Sequence, residues 1–97
     1  MQSLVTDSKW MCEKMGTGVG ALAMVYDYKV KGLNEELTEI QHQYGDLVHS
    51  SMHIHLDEEN CLEIVAVKGE AQVIRDLVQE LNTKKGVKQV KIAIVTP

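Results

Sequence analysis

LVHSSMHIHLDEENCLEIVAV, residues 47–67, is the stretch from which the fold is read. Apolar and polar residues alternate from Leu47 to Leu56, turn-forming residues follow from Asp57 to Asn60, and alternation resumes from Cys61 to Val67. A period of two on both sides of a short polar turn is the pattern of a β-hairpin. Side chains at i and i+2 share one face of a strand. Met52, Ile54 and Leu56 therefore fall on one side, and His49, Ser51, His53, His55 and Asp57 on the other. In the second strand Leu62, Ile64 and Ala66 separate in the same way from Cys61 and Glu63. If the apolar sets face a core, then His53, His55, Cys61 and Glu63 stand together on the opposite, uncovered face.

Working outward, Val19 to Tyr28 reads as a buried strand, preceded by a Gly-rich stretch from Gly16 to Gly20 and an aperiodic segment before it. Leu33, Leu37, Ile40 and Tyr44 then recur at helical spacing, with Asn34 as a candidate cap and Gly45 as a stop. Downstream, Gly69 reads as a strand breaker. Ala71, Ile74, Leu77, Val78 and Leu81 form a second amphipathic helix ending near Gly86, and Val87 to Val95 is a last strand. The order is βαββαβ. With right-handed crossovers it folds as an α+β, ferredoxin-like sandwich of the ACT-like regulatory kind, a four-stranded antiparallel sheet with both helices on one face. Residues 1–16 form a tail and 17–97 the compact domain; there is no internal repeat beyond the two halves.

A chain of 97 residues with 44% hydrophobic content, no Phe and a net charge of -4 limits the functions available. Its aromatic residues are Trp10, Tyr26, Tyr28 and Tyr44, so the core is aliphatic. A domain this small buries a limited fraction of its surface, and a homo-oligomer supplies more apolar burial. The acidic balance argues against this chain gripping a phosphate backbone by itself. Lys84, Lys85, Lys88 and Lys91 read as a helix end and a solvated strand. No apolar run is long enough to span a bilayer and no signal peptide is visible, which points to the cytoplasm. In that reducing compartment Cys12 and Cys61 are not expected to pair, and Cys61 needs another use.

His53-Ile54-His55 alone reads as a pair of solvated imidazoles on a strand, and Cys61 alone as a buried small side chain. Convergence of the three raises a second reading, a metal site. Imidazole with thiolate suits Zn, Cu or Ni rather than Mg or Ca, which prefer oxygen. Glu63 is either an exposed strand carboxylate or an acceptor that orients a ligating histidine. His42 lies roughly opposite the Leu33, Leu37, Ile40 stripe of its helix. By spacing it is a solvent-facing histidine; as a ligand it would serve a neighbouring subunit.

The run from Tyr26 to Cys61, with Gln41-His42, Asp46-Leu47, His53-Ile54-His55 and Asn60-Cys61-Leu62-Glu63, resembles the C-terminal domain of the nickel-responsive ribbon-helix-helix regulators. The likeness extends from about Trp10 to Val95 and includes Lys68-Gly69, Arg75 and Gly86-Val87-Lys88. It implies a planar four-coordinate Ni(II) site of His53, His55 and Cys61 from one chain and His42 from another, within a homotetramer. It places Tyr26 and Glu63 beside that site. Planar coordination disfavours Zn, whereas Cu(II) accepts it, so selectivity is not affinity alone. Residues 1–16 resemble only the tail of the missing DNA-binding domain, so DNA is expected to be engaged only through a ribbon-helix-helix domain absent from this chain.

The same residues bear on two further functions. A metalloenzyme needs an open coordination position with an acid or base beside it, and no catalytic triad or phosphate loop is visible, so no residue is assigned a catalytic role. A stand-alone nickel-binding or buffering protein is the alternative to a sensor; the sequence upstream of Met1 separates the two.

Overall fold

The computed structural model describes residues 16–95. They form β1 (Thr17–Asp27), α1 (Leu33–Gln43), β2 (Val48–His55), β3 (Asn60–Glu70), α2 (Ala71–Asn82) and β4 (Val87–Val95). The strands make one antiparallel sheet in the order β2-β3-β1-β4, so β3 and β1 are central and β2 and β4 are edges. This is the βαββαβ arrangement expected from the sequence, with α1 and α2 on one face.

The helices form where the apolar spacing predicts. Leu33, Leu37 and Ile40 of α1 and Ala71, Ile74, Leu77 and Leu81 of α2 are buried against the sheet. Full burial of one such Leu or Ile contributes about 1.5–3 kcal/mol. The sheet answers with Leu22, Met24 and Tyr26 of β1, Cys61, Val65 and Val67 of β3, and Ile92 of β4. The helix pair is also tied by the Tyr44 hydroxyl, which donates to Glu80 Oε1 at 3.2 Å. Burial and that carboxylate raise the Tyr44 pKa above the ordinary tyrosine range.

Two glycines and one asparagine behave differently from the sequence expectation. Gly18 lies inside β1, which begins two residues before the strand expected from Val19; Gly20 lies in that strand as expected, and a Cβ there would run into the Ala93 carbonyl of β4. Gly69 does not end its strand. It pairs with Gly18, and the space a side chain would take is filled by Leu47. Asn34 does not cap α1: Gly32 does, in the left-handed region at φ 82°. The Asn34 side chain is free for another bond, described below.

The hairpin turn is held by Asp57, whose Oδ1 accepts from the backbone N–H of Glu59 at 2.8 Å and of Asn60 at 2.7 Å. Those bonds, Glu59 first, hold its carboxyl below the usual range. The β1–β4 pairing slips between Val25 and Tyr26, which leaves Lys88 without an opposite residue. Lys88 Nζ instead reaches Glu59 Oε2 at 3.2 Å and Asn60 Oδ1 at 2.5 Å, pinning the hairpin tip to β4. A second slip, between Val48 and Ser50, leaves His49 unpaired. The strict alternation that set His49 beside His53 does not run through this bulge.

Candidate metal centre

The register brings the expected residues together: His53 is opposite Glu63, and His55 is opposite Cys61, which is opposite Tyr26 of β1. His53, His55, Cys61 and Glu63 therefore share one side of the sheet. That side is the reverse of the one expected. Cys61 and Glu63 are each 2% exposed and lie with Val65 and Val67 on the helix-covered face. Met52, Ile54 and Leu56 are on the open side and exposed. The reason is that the central strands β1 and β3 are largely apolar on both faces, so polarity does not tell them apart there, and the contrast on β2 belongs to an edge strand exposed on both sides. Size does: β1 sends Leu22, Met24 and Tyr26 inward, and Ala21, Ala23 and Val25 outward.

The residues of edge strand β2 are exposed, so the imidazoles remain accessible while the thiol is covered. A cleft of about 400 Å³ is lined by Tyr26, Tyr28, Asn34, His53, His55 and Cys61. The Tyr26 hydroxyl donates to Asn34 Oδ1 at 3.2 Å, joining β1 to the start of α1. Burial first, and then the neighbouring Cys61 and Glu63, push the Tyr26 pKa well above the ordinary range, so this phenol stays protonated. Glu63 is the buried charge of the site. Its Oε1 is 3.3 Å from His53 Nε2 and its Oε2 accepts from Gln41 Nε2 of α1 at 2.7 Å. A buried carboxylate is tolerated when both oxygens are engaged in this way. The Tyr28 ring stacks on His55, with centroids 4.9 Å apart and planes at 13°.

Gln41 turns toward the sheet, and His42, about 100° further around the helix, turns away. His42 is exposed and does not line the His53, His55, Cys61 cleft. It lines two open hollows at the end of α1, one with Thr38, Gln41, Gly45 and Val48, the other with residues 43–47 and Val73. Separation of His42 from the cleft thus arises from the turn of α1, and not from opposite faces of the sheet. Among the described residues, no three His, Cys, Asp or Glu side chains of one chain converge closely enough to hold a metal ion. Within one subunit, then, two imidazoles and a thiol border a common space without closing on it. Their chemistry fits nickel, copper or zinc. Tyr28 and Asn34 line the cleft and Gln41 bonds to Glu63 beside it, places that the sequence does not give them; Tyr28 was legible as the i+2 neighbour of Tyr26 on the same face.

The fold is α+β, and the donor set that borders the cleft has the chemistry of a borderline transition-metal site. The description "NikR C terminal nickel binding domain" matches residues 19–95, and the chain belongs to that family. It is a regulator domain and not an enzyme. A "Putative nickel-responsive regulator" of Methanococcus aeolicus is 37% identical over all 97 residues, which cover 69% of that protein. A protein of the same description from Methanococcus maripaludis is 42% identical over 89 residues, covering 92% of this chain and 63% of that one. Among solved structures, an uncharacterised protein of Thermotoga maritima aligns with a TM-score of 0.73 at 18% identity, over 82% of this chain and 99% of that one. The ACT domain of the GTP pyrophosphokinase of Chlorobium tepidum aligns at 0.65 and 12% identity, over 78% of this chain and 97% of that one. These two likenesses concern the fold.

Proposed function

We propose that this chain is the nickel-sensing domain of a transcriptional regulator, and that each metal site is assembled from two subunits. His53, His55 and Cys61 supply two imidazoles and a thiolate from one cleft, and His42 supplies an imidazole to a neighbour's cleft. The observation that carries this reading is the placement of His42, on the outward side of α1 and outside the cleft that the other three line. Glu63 and Tyr26 act beside the metal, the first by orienting His53 and the second by shaping the buried wall next to Cys61. Bound nickel would bridge subunits, and any arrangement that binds it better is populated in proportion to that difference in affinity.

The assembly we propose is a homotetramer. Its second interface is the open sheet face, where Val19, Met52, Ile54, Leu56 and Val95 are exposed. A second copy of this chain is the fitting occupant, since the patch is apolar and self-complementary association is the common route to closed oligomers. DNA is engaged through a ribbon-helix-helix domain outside these 97 residues, and the regulator works in the cytoplasm. No helix of the described chain is long and apolar enough to cross a membrane. The direct test is titration with Ni(II): a single ion per chain, with a near-ultraviolet thiolate-to-nickel band that Cys61→Ala removes. Persistence of the band in that variant would move the sulfur ligand to Cys12.

A further inference from the structure

The two histidines of the cleft are held by different means. His53 has the Glu63 carboxylate at 3.3 Å. His55 has no such partner; among the described residues the contact recorded for its ring is the flat face of Tyr28. Tyr28 in turn is clamped to the hairpin turn that directly follows His55. Its backbone N–H donates to the Glu59 carbonyl at 3.1 Å, and its hydroxyl donates to the Glu58 carbonyl at 2.6 Å. The ring is therefore fixed at its base and at its tip, with the His55 imidazole laid against it nearly parallel, at 13°.

We propose that Tyr28 is a positioning residue for His55. It holds the imidazole in one plane at the mouth of the cleft before any metal arrives, and the stack leaves both ring nitrogens in its edge. Restricting a side chain in advance lowers the entropy lost when it binds, and an offset aromatic stack adds to that restriction. The Tyr28 hydroxyl is already engaged with a backbone carbonyl, so its part is steric and not ligation. The inference rests on the nickel reading of the cleft.

The test uses the whole 97-residue chain with Tyr28→Leu, which removes the stack, and Tyr28→Phe, which keeps the ring. In the metal-free protein the carbon-bound imidazole protons of His55 should be displaced upfield by the ring current in the parent and in the Phe variant. They should return to ordinary positions in the Leu variant, with His53 unmoved. In Ni(II) competition titrations the Leu variant should bind about three- to tenfold more weakly, and the Phe variant should recover most of that loss. A folded Leu variant that binds like the parent overturns the proposal, and so does an equal loss in Leu and Phe. If the parent binds no nickel, the reading of the cleft fails; unshifted His55 protons in the parent would then overturn the positioning role on their own.

Discussion

Glu63 and His53 face each other across the β2–β3 pair with Oε1 3.3 Å from Nε2, yet the carboxylate side chain is 3% exposed and the imidazole 49%. A charge on the inner side of the sheet is thus in contact with a ring that is half in solvent. In the tautomer that donates Nε2–H to Glu63, the free lone pair is on Nδ1.

Replacing Glu63 by Gln keeps the shape and removes the charge. Loss of a partner that orients a ligating histidine costs about 10- to 100-fold in metal affinity. Competition titration with a nickel chelator should show a loss of that order while the far-ultraviolet spectrum is unchanged. Parent-like affinity in a folded Glu63→Gln protein would remove Glu63 from the site.

Sharing of the site between chains can be read by mixing two damaged proteins. In a His42→Ala chain paired with a Cys61→Ala chain, one interface site carries both lesions and the other is intact. Each variant alone should lack the full four-donor spectrum, and co-refolded mixtures should regain it in a minority of sites set by random pairing. If proven mixed oligomers recover nothing, His42 is not a ligand in trans.

Alkaline stability follows from Tyr26 and Tyr44, both raised in pKa chiefly by burial. In the unfolded chain these phenols ionise near pH 10. Above that the unfolded state binds fewer protons than the native state, so stability should fall as pH rises. Denaturant unfolding of the metal-free protein from about pH 8 to about pH 11 should show this fall. It should be shallower in Tyr26→Phe and shallower again in the double Phe variant; a double variant with the parent's slope would assign the fall to other groups.

Turning Met52 and Ile54 to Lys changes only the open face of β2. A tetramer that uses this face should separate into smaller species in sedimentation equilibrium, with the sheet retained. Unchanged mass in a folded double variant would place the contact elsewhere.

The hairpin and both helices were legible because each rests on a local period: Asp57 to Asn60 between two alternating runs, Leu33 to Ile40, and Ala71 to Leu81. The common side of His53, His55, Cys61 and Glu63 was legible for the same reason, since a tight turn fixes register. Which side it was could not be read from hydrophobicity, because Cys61, Val65 and Val67 are no more apolar than Leu62, Ile64 and Ala66. Between Cys61 and Val67 Glu63 is the only strongly polar residue, and it lies on the inner face. Gln41, the residue that accounts for it, is 22 positions away. Long-range compensation of that kind leaves no mark in a local pattern. Gly69 was misread for a related reason, as Leu47, which fills its place, comes from before the hairpin.

The cleft joins two strands of unequal standing. Cys61 belongs to β3, bonded to a neighbour on each side, whereas His53 and His55 belong to β2, bonded on one side only. The sulfur is therefore anchored in the least yielding part of the molecule and the nitrogens in its most pliant margin. An ion gripping both would lend the border strand the stiffness of the interior, and a signal sent outward from such a site is a change in compliance at the rim.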